Sequence, residues 1–266
     1  MIEGLMLIIL NLALPVVAGL VYFAMAYEIK KSNRGRTLIM GELTIKGTFY
    51  AYVALGLWLL SRPLQNIIGP HPAPLAVNCV RQFLMIALFA PSLLVAIFNW
   101  TSEDKKVPKI VQAAVFIVAA FMGLIFVLIN IAAVDGSKII AQNSFITLYD
   151  AQWFMEGPRR LELVLIHLFV QGISPVGFCL FAAGIVRHKR HNYPADSIYN
   201  MMTKKWYFLE VSLIIFACSM LVAGFAALVT GYGTYLWVIY FAGAIVAGFF
   251  DMKGIKLPPR IEKARA

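Results

Sequence analysis

Apolar runs of about 20 residues recur seven times along the chain, and short polar stretches separate them. Because a helix advances only about 1.5 Å per residue, roughly 20 apolar residues are needed to cross the hydrocarbon core of a bilayer. The runs therefore predict an all-α integral membrane protein, folded as a single seven-transmembrane-helix bundle over residues 1–266. The predicted helices span approximately residues 5–27, 47–64, 75–100, 110–134, 161–186, 206–230 and 232–250.

The composition excludes a soluble protein of this length. Hydrophobic residues make up 61% of the 266 residues and charged residues only 14%, and the mean hydropathy is +0.80. A compact soluble domain could not bury so much apolar surface. The lipid bilayer is therefore the first partner that the sequence predicts.

Basic residues are concentrated in alternate loops, and this distribution predicts the orientation. Segments 27–47, 101–109, 187–206 and 251–266 hold 18 of the 23 Lys and Arg residues. Because basic loops stay in the cytoplasm, we expect the N-terminus outside, the C-terminus inside, and a multi-pass protein of a prokaryotic plasma (inner) membrane. This topology accounts for the net charge of +10. We expect no nucleic-acid binding, since no basic stretch is interleaved with stacking aromatics.

Polar side chains collect in the predicted outer half of the bundle. Asn78, Arg81 and Gln82 share one face of helix 3, and His167 and Gln171 share one face of helix 5. If both faces point inward, they line an outward-facing pocket for a small polar or anionic ligand, because the guanidinium fork of an arginine can hold two oxygens at once. The predicted ligand-binding residues, with Arg62 at the rim, are Arg81, His167, Gln171, Asn78, Gln82, Arg62 and Glu162.

Each of these residues also has a structural interpretation, which the sequence leaves open. Arg81 lies about one turn inside helix 3, so its side chain could reach the outer headgroups. Arg81 or Arg62 could instead pair with Glu162 as a tie between helices. His167 and Gln171 could be satisfied by hydrogen bonds between helices.

The remaining chemistry-bearing residues predict no cofactor and no metal site. A haem between helices would need at least two intramembrane ligands such as His or Met, and zinc would need several His and acidic ligands. His167 is the single histidine in a predicted span. Cys79, Cys179 and Cys218 lie in helices at unrelated spacing, so we expect them to be packing residues.

The outer segment 135–160 carries aromatic and acidic residues at near-helical spacing. This pattern predicts an amphipathic helix at the membrane surface, as an aromatic anchor or as a lid over the bundle.

The chain resembles the seven-transmembrane N-terminal sensor region of bacterial membrane-bound histidine kinases and related regulators. The features that carry the resemblance are the SRPLQ sequence at the end of helix 2, the polar outer half and the basic inner face. The resemblance implies a receptor-like sensor. Since only 16 residues, DMKGIKLPPRIEKARA, follow the seventh run, we expect a separate cytoplasmic or membrane signalling partner.

Two other functions without catalysis stay open. A small-solute transporter is suggested by prolines that could interrupt helices 1, 3 and 5. A structural subunit of a membrane complex, or a homodimer through helix 7, is suggested by small residues at four-residue spacing, Gly243 with Ala247 and Ala244 with Gly248.

One enzymatic function also stays open. Exosortase-like transpeptidases use Cys, Arg and His from membrane helices near the outer face, and Cys79, Arg81 and His167 offer the same residue types. A thiolate activated by a neighbouring imidazole is a plausible nucleophile. Against this function, Cys79 and Arg81 are two residues apart and do not share a helix face.

Overall fold

Long helices dominate the computed structural model, which describes residues 2–32, 42–101, 108–134, 136–151, 165, 168–192, 197–226 and 233–255. A π-helical turn, Met85–Phe89, joins α3 to α4, and a second π turn, Leu168–Ile173, leads into α6. The α-helices are α1 Ile2–Ser32, α2 Glu42–Ile67, α3 Ala73–Leu84, α4 Ala90–Thr101, α5 Lys109–Ala133, α6 Ser174–Asn192, α7 Ser197–Ala226 and α8 Gly233–Ile255.

Five helical stretches in the described part of the chain are long and apolar enough to cross a membrane. They are Gly4–Lys31, Ala73–Ile97, Lys109–Ala133, Trp206–Phe225 and Leu236–Gly254. Over their described residues α2 and α6 do not reach this criterion: α2 carries several polar residues, and α6 ends in the basic sequence RHKRHN. The structure is that of a mostly helical protein compatible with multiple membrane passes, while seven spans and their orientation stay predictions.

A β-hairpin caps one end of the bundle, which is called the hairpin end below. Strand β1, Ser137–Gln142, pairs antiparallel with β2, Thr147–Ala151. The Asn143 side chain closes the turn by accepting hydrogen bonds from the backbone N–H groups of Phe145 and Ile146, both at 2.8 Å.

The prediction of an amphipathic helix over residues 135–160 is therefore wrong for residues 137–151, which form the hairpin. Isoleucine, threonine and tyrosine favour extended backbone, and an asparagine that bonds its own backbone favours a turn, so local preference here outweighs the aromatic spacing. Residues 152–160 lie outside the described part of the chain.

The opposite end is called the basic end, since Lys30 and Lys31 close α1 there and Lys253 closes α8. Between the two ends the core is rich in aromatic side chains. The ring of Trp58 meets that of Tyr240 edge-on at 5.7 Å, and Tyr22 meets Phe216 edge-on at 6.2 Å. These rings join α1, α2, α7 and α8 into one packed layer.

Small residues allow α8 to lie close against α1 and α7. A methyl group added at Gly243 would stand 1.9 Å from the Ser219 hydroxyl oxygen, and one added at Gly248 would stand 2.5 Å from a Val21 methyl carbon. Ala244 and Ala247 are fully buried. These small residues thus contact α1 and α7 within the chain, while a homodimer through this helix stays a prediction.

Candidate functional site

Three polar side chains lie on one face of α2 near the hairpin end. Arg62, Gln65 and Asn66 follow the three- and four-residue spacing of a helix face, and all are buried, at 4%, 0% and 0% exposure. α2 packs there against α3 and β2. Buried polar groups need partners, and these neighbours supply some of them.

Asp150, on β2, is the counter-ion of Arg62. The Arg62 Nη1 and Nη2 atoms donate to the two carboxylate oxygens of Asp150 at 3.1 and 2.6 Å, and Gln65 donates to the same carboxylate. The guanidinium also lies 5.4 Å from the centre of the Trp237 ring. Arg62 is therefore not at the rim of a pocket, as expected from the sequence, but inside the bundle with a bidentate partner.

Arg81, on α3, also points into the bundle, with 2% exposure. Its Nε donates to the backbone oxygen of Trp58 at 3.2 Å, its Nη1 donates to the Gln65 side-chain oxygen, and its guanidinium lies 4.7 Å from the centre of the Trp58 ring. The Arg81 side chain therefore does not extend to the outer headgroups, which was one of the interpretations that the sequence left open. Gln65 connects the two arginines, because it accepts from Arg81 and donates to the carboxylate that holds Arg62.

Asn78 and Gln82 lie on the same buried face of α3 as Arg81, at 3% and 4% exposure. The Gln82 amide donates to the Asn78 oxygen at 3.4 Å, one helical turn away. The structure thus brings Arg62, Arg81, Asn78 and Gln82 to one end of the bundle. The name hairpin-end cluster is used below for Arg62, Gln65, Asn66, Asn78, Arg81, Gln82 and Asp150.

Several donors in the hairpin-end cluster have no hydrogen-bond acceptor within the described part of the chain. They are Arg62 Nε, Arg81 Nη2, Asn66 Nδ2 and Asn78 Nδ2. An unsatisfied buried donor costs about 1–3 kcal/mol. Among the described residues, the cluster joins two guanidinium groups to one carboxylate. Among the described residues, the cluster therefore has more positive than negative charge, and more N–H donors than acceptors for them.

Three predicted site residues cannot be placed in this geometry. Glu162 and His167 lie outside the described residues, and the backbone of Gln171 belongs to the second π turn while its side chain lies outside the description. The facing stripe predicted on helix 5 stays a prediction.

Gln65, Asn66 and Asp150 were not among the predicted ligand-binding residues. Gln65 and Asn66 lie three and four residues after Arg62, and that spacing is a signal the sequence does contain. Nothing in the sequence pairs Asp150 with Arg62, because the two residues are 88 positions apart and meet only when the hairpin folds back.

A cavity of about 510 Å³ lies beside the cluster and is called the lateral cavity below. Trp58 and Gln82 form the wall that it shares with the cluster, while Met85, Ile86, Phe89 and Phe169 come from the two π turns. The rest of its lining belongs to α4, α5, α6, α7 and α8.

Each π turn is followed closely by a proline, Pro91 or Pro175. A proline has no N–H to donate and its ring crowds the carbonyl one turn earlier, so a widened turn relieves the clash. Since π turns are frequent at functional sites, their position beside the lateral cavity makes the cavity a candidate binding site.

The basic end holds a second set of buried polar groups. Tyr52 donates its O–H to Asp251 Oδ2 at 2.9 Å, and Asp251 is only 6% exposed. Arg190 approaches Glu210 at 3.2 Å. The sequence pattern assigns neither Asp251 nor Glu210 a partner within the bundle.

The cysteines bear on the transpeptidase alternative. Cys79 is buried and packs with Leu75, Val134 and Ala151, which is a packing role. Cys179 is buried in the core, whereas Cys218 is exposed and so does not pack inside the bundle.

Within the described residues, no group of three or more His, Cys, Asp or Glu side chains could hold a metal ion.

A scan of the sequence against protein-family models matched none of them, and a search of curated proteins found no similar protein. The resemblance to a sensor region therefore stays an expectation from the sequence.

Proposed function

We propose that this protein is a receptor-like membrane sensor that binds a small anionic or polar ligand at Arg81 and signals through a separate partner. One observation carries the proposal: Arg81 is buried and its Nη2 group has no acceptor among the described residues, while the carboxylate of the hairpin-end cluster is taken by Arg62.

The energetics of a buried guanidinium support a ligand at this position. A charge removed from water is stable only when it is paired and its donors are satisfied. Trp58 and Gln65 give Arg81 neutral oxygens, which satisfy hydrogen bonds but do not balance the charge. A carboxylate or phosphate would do both, since charge-assisted hydrogen bonds to arginine are roughly twice as strong as neutral ones.

Gln65 offers a route from ligand to signal. It accepts from Arg81 and donates to Asp150 on the hairpin. An anion that took over Arg81 Nη1 would release the Gln65 oxygen and so change the contact between α2 and the hairpin. The ligand would thereby favour one arrangement of the two elements over another, which is what a sensor requires.

The positive-inside distribution places the hairpin end outside the plasma membrane in this proposal. The ligand then arrives from outside, and the basic end meets the signalling partner in the cytoplasm. Impermeant thiol labelling of a cysteine introduced between residues 193 and 196 tests this orientation: the cysteine should be shielded in intact cells.

The ligand proposal is tested with purified protein in vesicles, to which acetate, phosphate or sulfate is added. We expect at least one anion to raise the melting temperature and change the fluorescence of Trp58, since a ligand at 100 times its Kd stabilises by about 2.7 kcal/mol. Arg81→Gln should remain folded and lose the response. Arg187→Gln, at an exposed arginine of the basic end, should keep it.

Three results would contradict the proposal that Arg81 binds an anionic ligand for sensing. If no anion affects the wild-type protein and Arg81→Gln is unfolded, Arg81 is a structural tie between α2 and α3. If Arg187→Gln loses the response equally, the anion acts through general charge. If a radiolabelled anion accumulates inside the vesicles, the protein is a transporter, the alternative that the π turns before Pro91 and Pro175 favour.

A further inference from the structure

The lateral cavity opens sideways towards lipid. Its wall on α5 includes Val111, Val118 and Met122, which are 42%, 58% and 54% exposed, and on the opposite side it includes Phe169, which is 58% exposed. Residues that line a cavity and are also exposed mark its mouth. Because α5 is a candidate membrane span, this mouth faces hydrocarbon.

The lining selects an apolar occupant. Among the described residues that line the cavity, none is charged, and only Gln82 has an amide side chain. A water-soluble molecule would lose its hydration there and gain almost no hydrogen bonds in return. An empty cavity of this size would instead forfeit the dispersion contacts of its whole lining, so an apolar chain is favoured over a void.

We propose that the lateral cavity binds an acyl chain of a bilayer phospholipid, which enters between α5 and the second π turn. The volume of about 510 Å³ lies in the range of ligand cavities in proteins. The chain lies against the π turn Met85–Phe89 and ends near Trp58 and Trp237. This site is separate from Arg81, although Trp58 contacts both.

Trp58 provides a specific reporter of the bound chain. Its side chain is 3% exposed, so lipid that surrounds the bundle cannot contact it, whereas a chain in the lateral cavity does. Bromine atoms on an acyl chain quench tryptophan fluorescence at short range. In vesicles of phosphatidylcholine with brominated acyl chains, we expect quenching of the wild-type protein to exceed that of Trp58→Phe.

A matched pair of variants on α5 separates the cavity from surrounding lipid. Ala114 lines the cavity and Ala113 does not, and both are exposed. Ala114→Phe should fill the cavity and lower the bromine quenching to the level of Trp58→Phe or below it, since Trp237 also lines the cavity, while Ala113→Phe should leave it at the wild-type level. If Ala114→Phe does not fold, Ala119→Phe fills the same wall and replaces it.

The proposal is overturned if the two phenylalanine variants are quenched equally, because the bromine atoms then act only from the surrounding bilayer. It is also overturned if Trp58→Phe is quenched as strongly as the wild type. Neither outcome changes the anion response of Arg81, so the two proposals succeed or fail separately.

Discussion

Replacing Asp150 with alanine is expected to destabilise the protein strongly, because it removes the partner of a buried charge. Asp150 accepts two hydrogen bonds from Arg62 and one from Gln65. The two charged side chains are only 5% and 13% exposed. In Asp150→Ala the Arg62 guanidinium stays inside the bundle without a counter-ion.

The magnitude follows from the cost of breaking a buried pair. Removal of one member of such a pair typically costs about 3–5 kcal/mol, whereas a surface pair contributes about 0–1 kcal/mol. The low exposure of both side chains places this pair in the buried class. If the loss comes from the unpaired charge, the double variant Arg62→Met with Asp150→Ala should recover most of it.

The free energy of unfolding can be measured in mixed micelles by titration with sodium dodecyl sulfate, followed by circular dichroism. Gln142→Ala is the control, since Gln142 is exposed on the same hairpin, and it should change stability by less than about 0.5 kcal/mol. A loss below about 1 kcal/mol in Asp150→Ala would refute the reasoning. So would a double variant that is no more stable than Asp150→Ala.

Two further changes test the packing. Tyr52→Phe removes the hydrogen bond to Asp251 and should cost about 1 kcal/mol in the same titration, whereas Tyr50→Phe, at a residue that is 52% exposed, should be neutral. Gly243→Ala places a methyl group against a serine hydroxyl and should cost about 1–3 kcal/mol; Gly177→Ala, with open space around it, should cost nothing. Equal effects within either pair would contradict the contacts described above.

The helices were predictable because apolar length alone demands them in a bilayer. All seven predicted runs overlap described helices, and the observed helices extend further, as α1 does to Ser32. A helix does not stop where its apolar residues stop, since the backbone bonds continue into the headgroup region. Apolar length did not predict the structure of residues 137–151. There the β preference of the local residues and the Asn143 side chain, which closes the turn, favour a hairpin.

The hairpin-end cluster was predictable in part. The spacing of Asn78, Arg81 and Gln82 on one face is a property of the helix period, and the structure buries all three. The partner of each arginine was not predictable, because Arg62 finds Asp150 and Arg81 finds Trp58 and Gln65 only through the packing of separate elements.

The sequence by itself determined that the protein is mostly helical, that its apolar helices are compatible with multiple membrane passes, and that it has a polar end and a basic end, because the cost of exposing backbone and charge to hydrocarbon acts on every residue locally. The tertiary structure alone decided which charges are paired, that Asp251 is buried against Tyr52, and that a lateral cavity opens between α5 and the π turns. These features depend on distances between residues far apart in the chain, and the local pattern of apolar and polar positions carries no information about such distances.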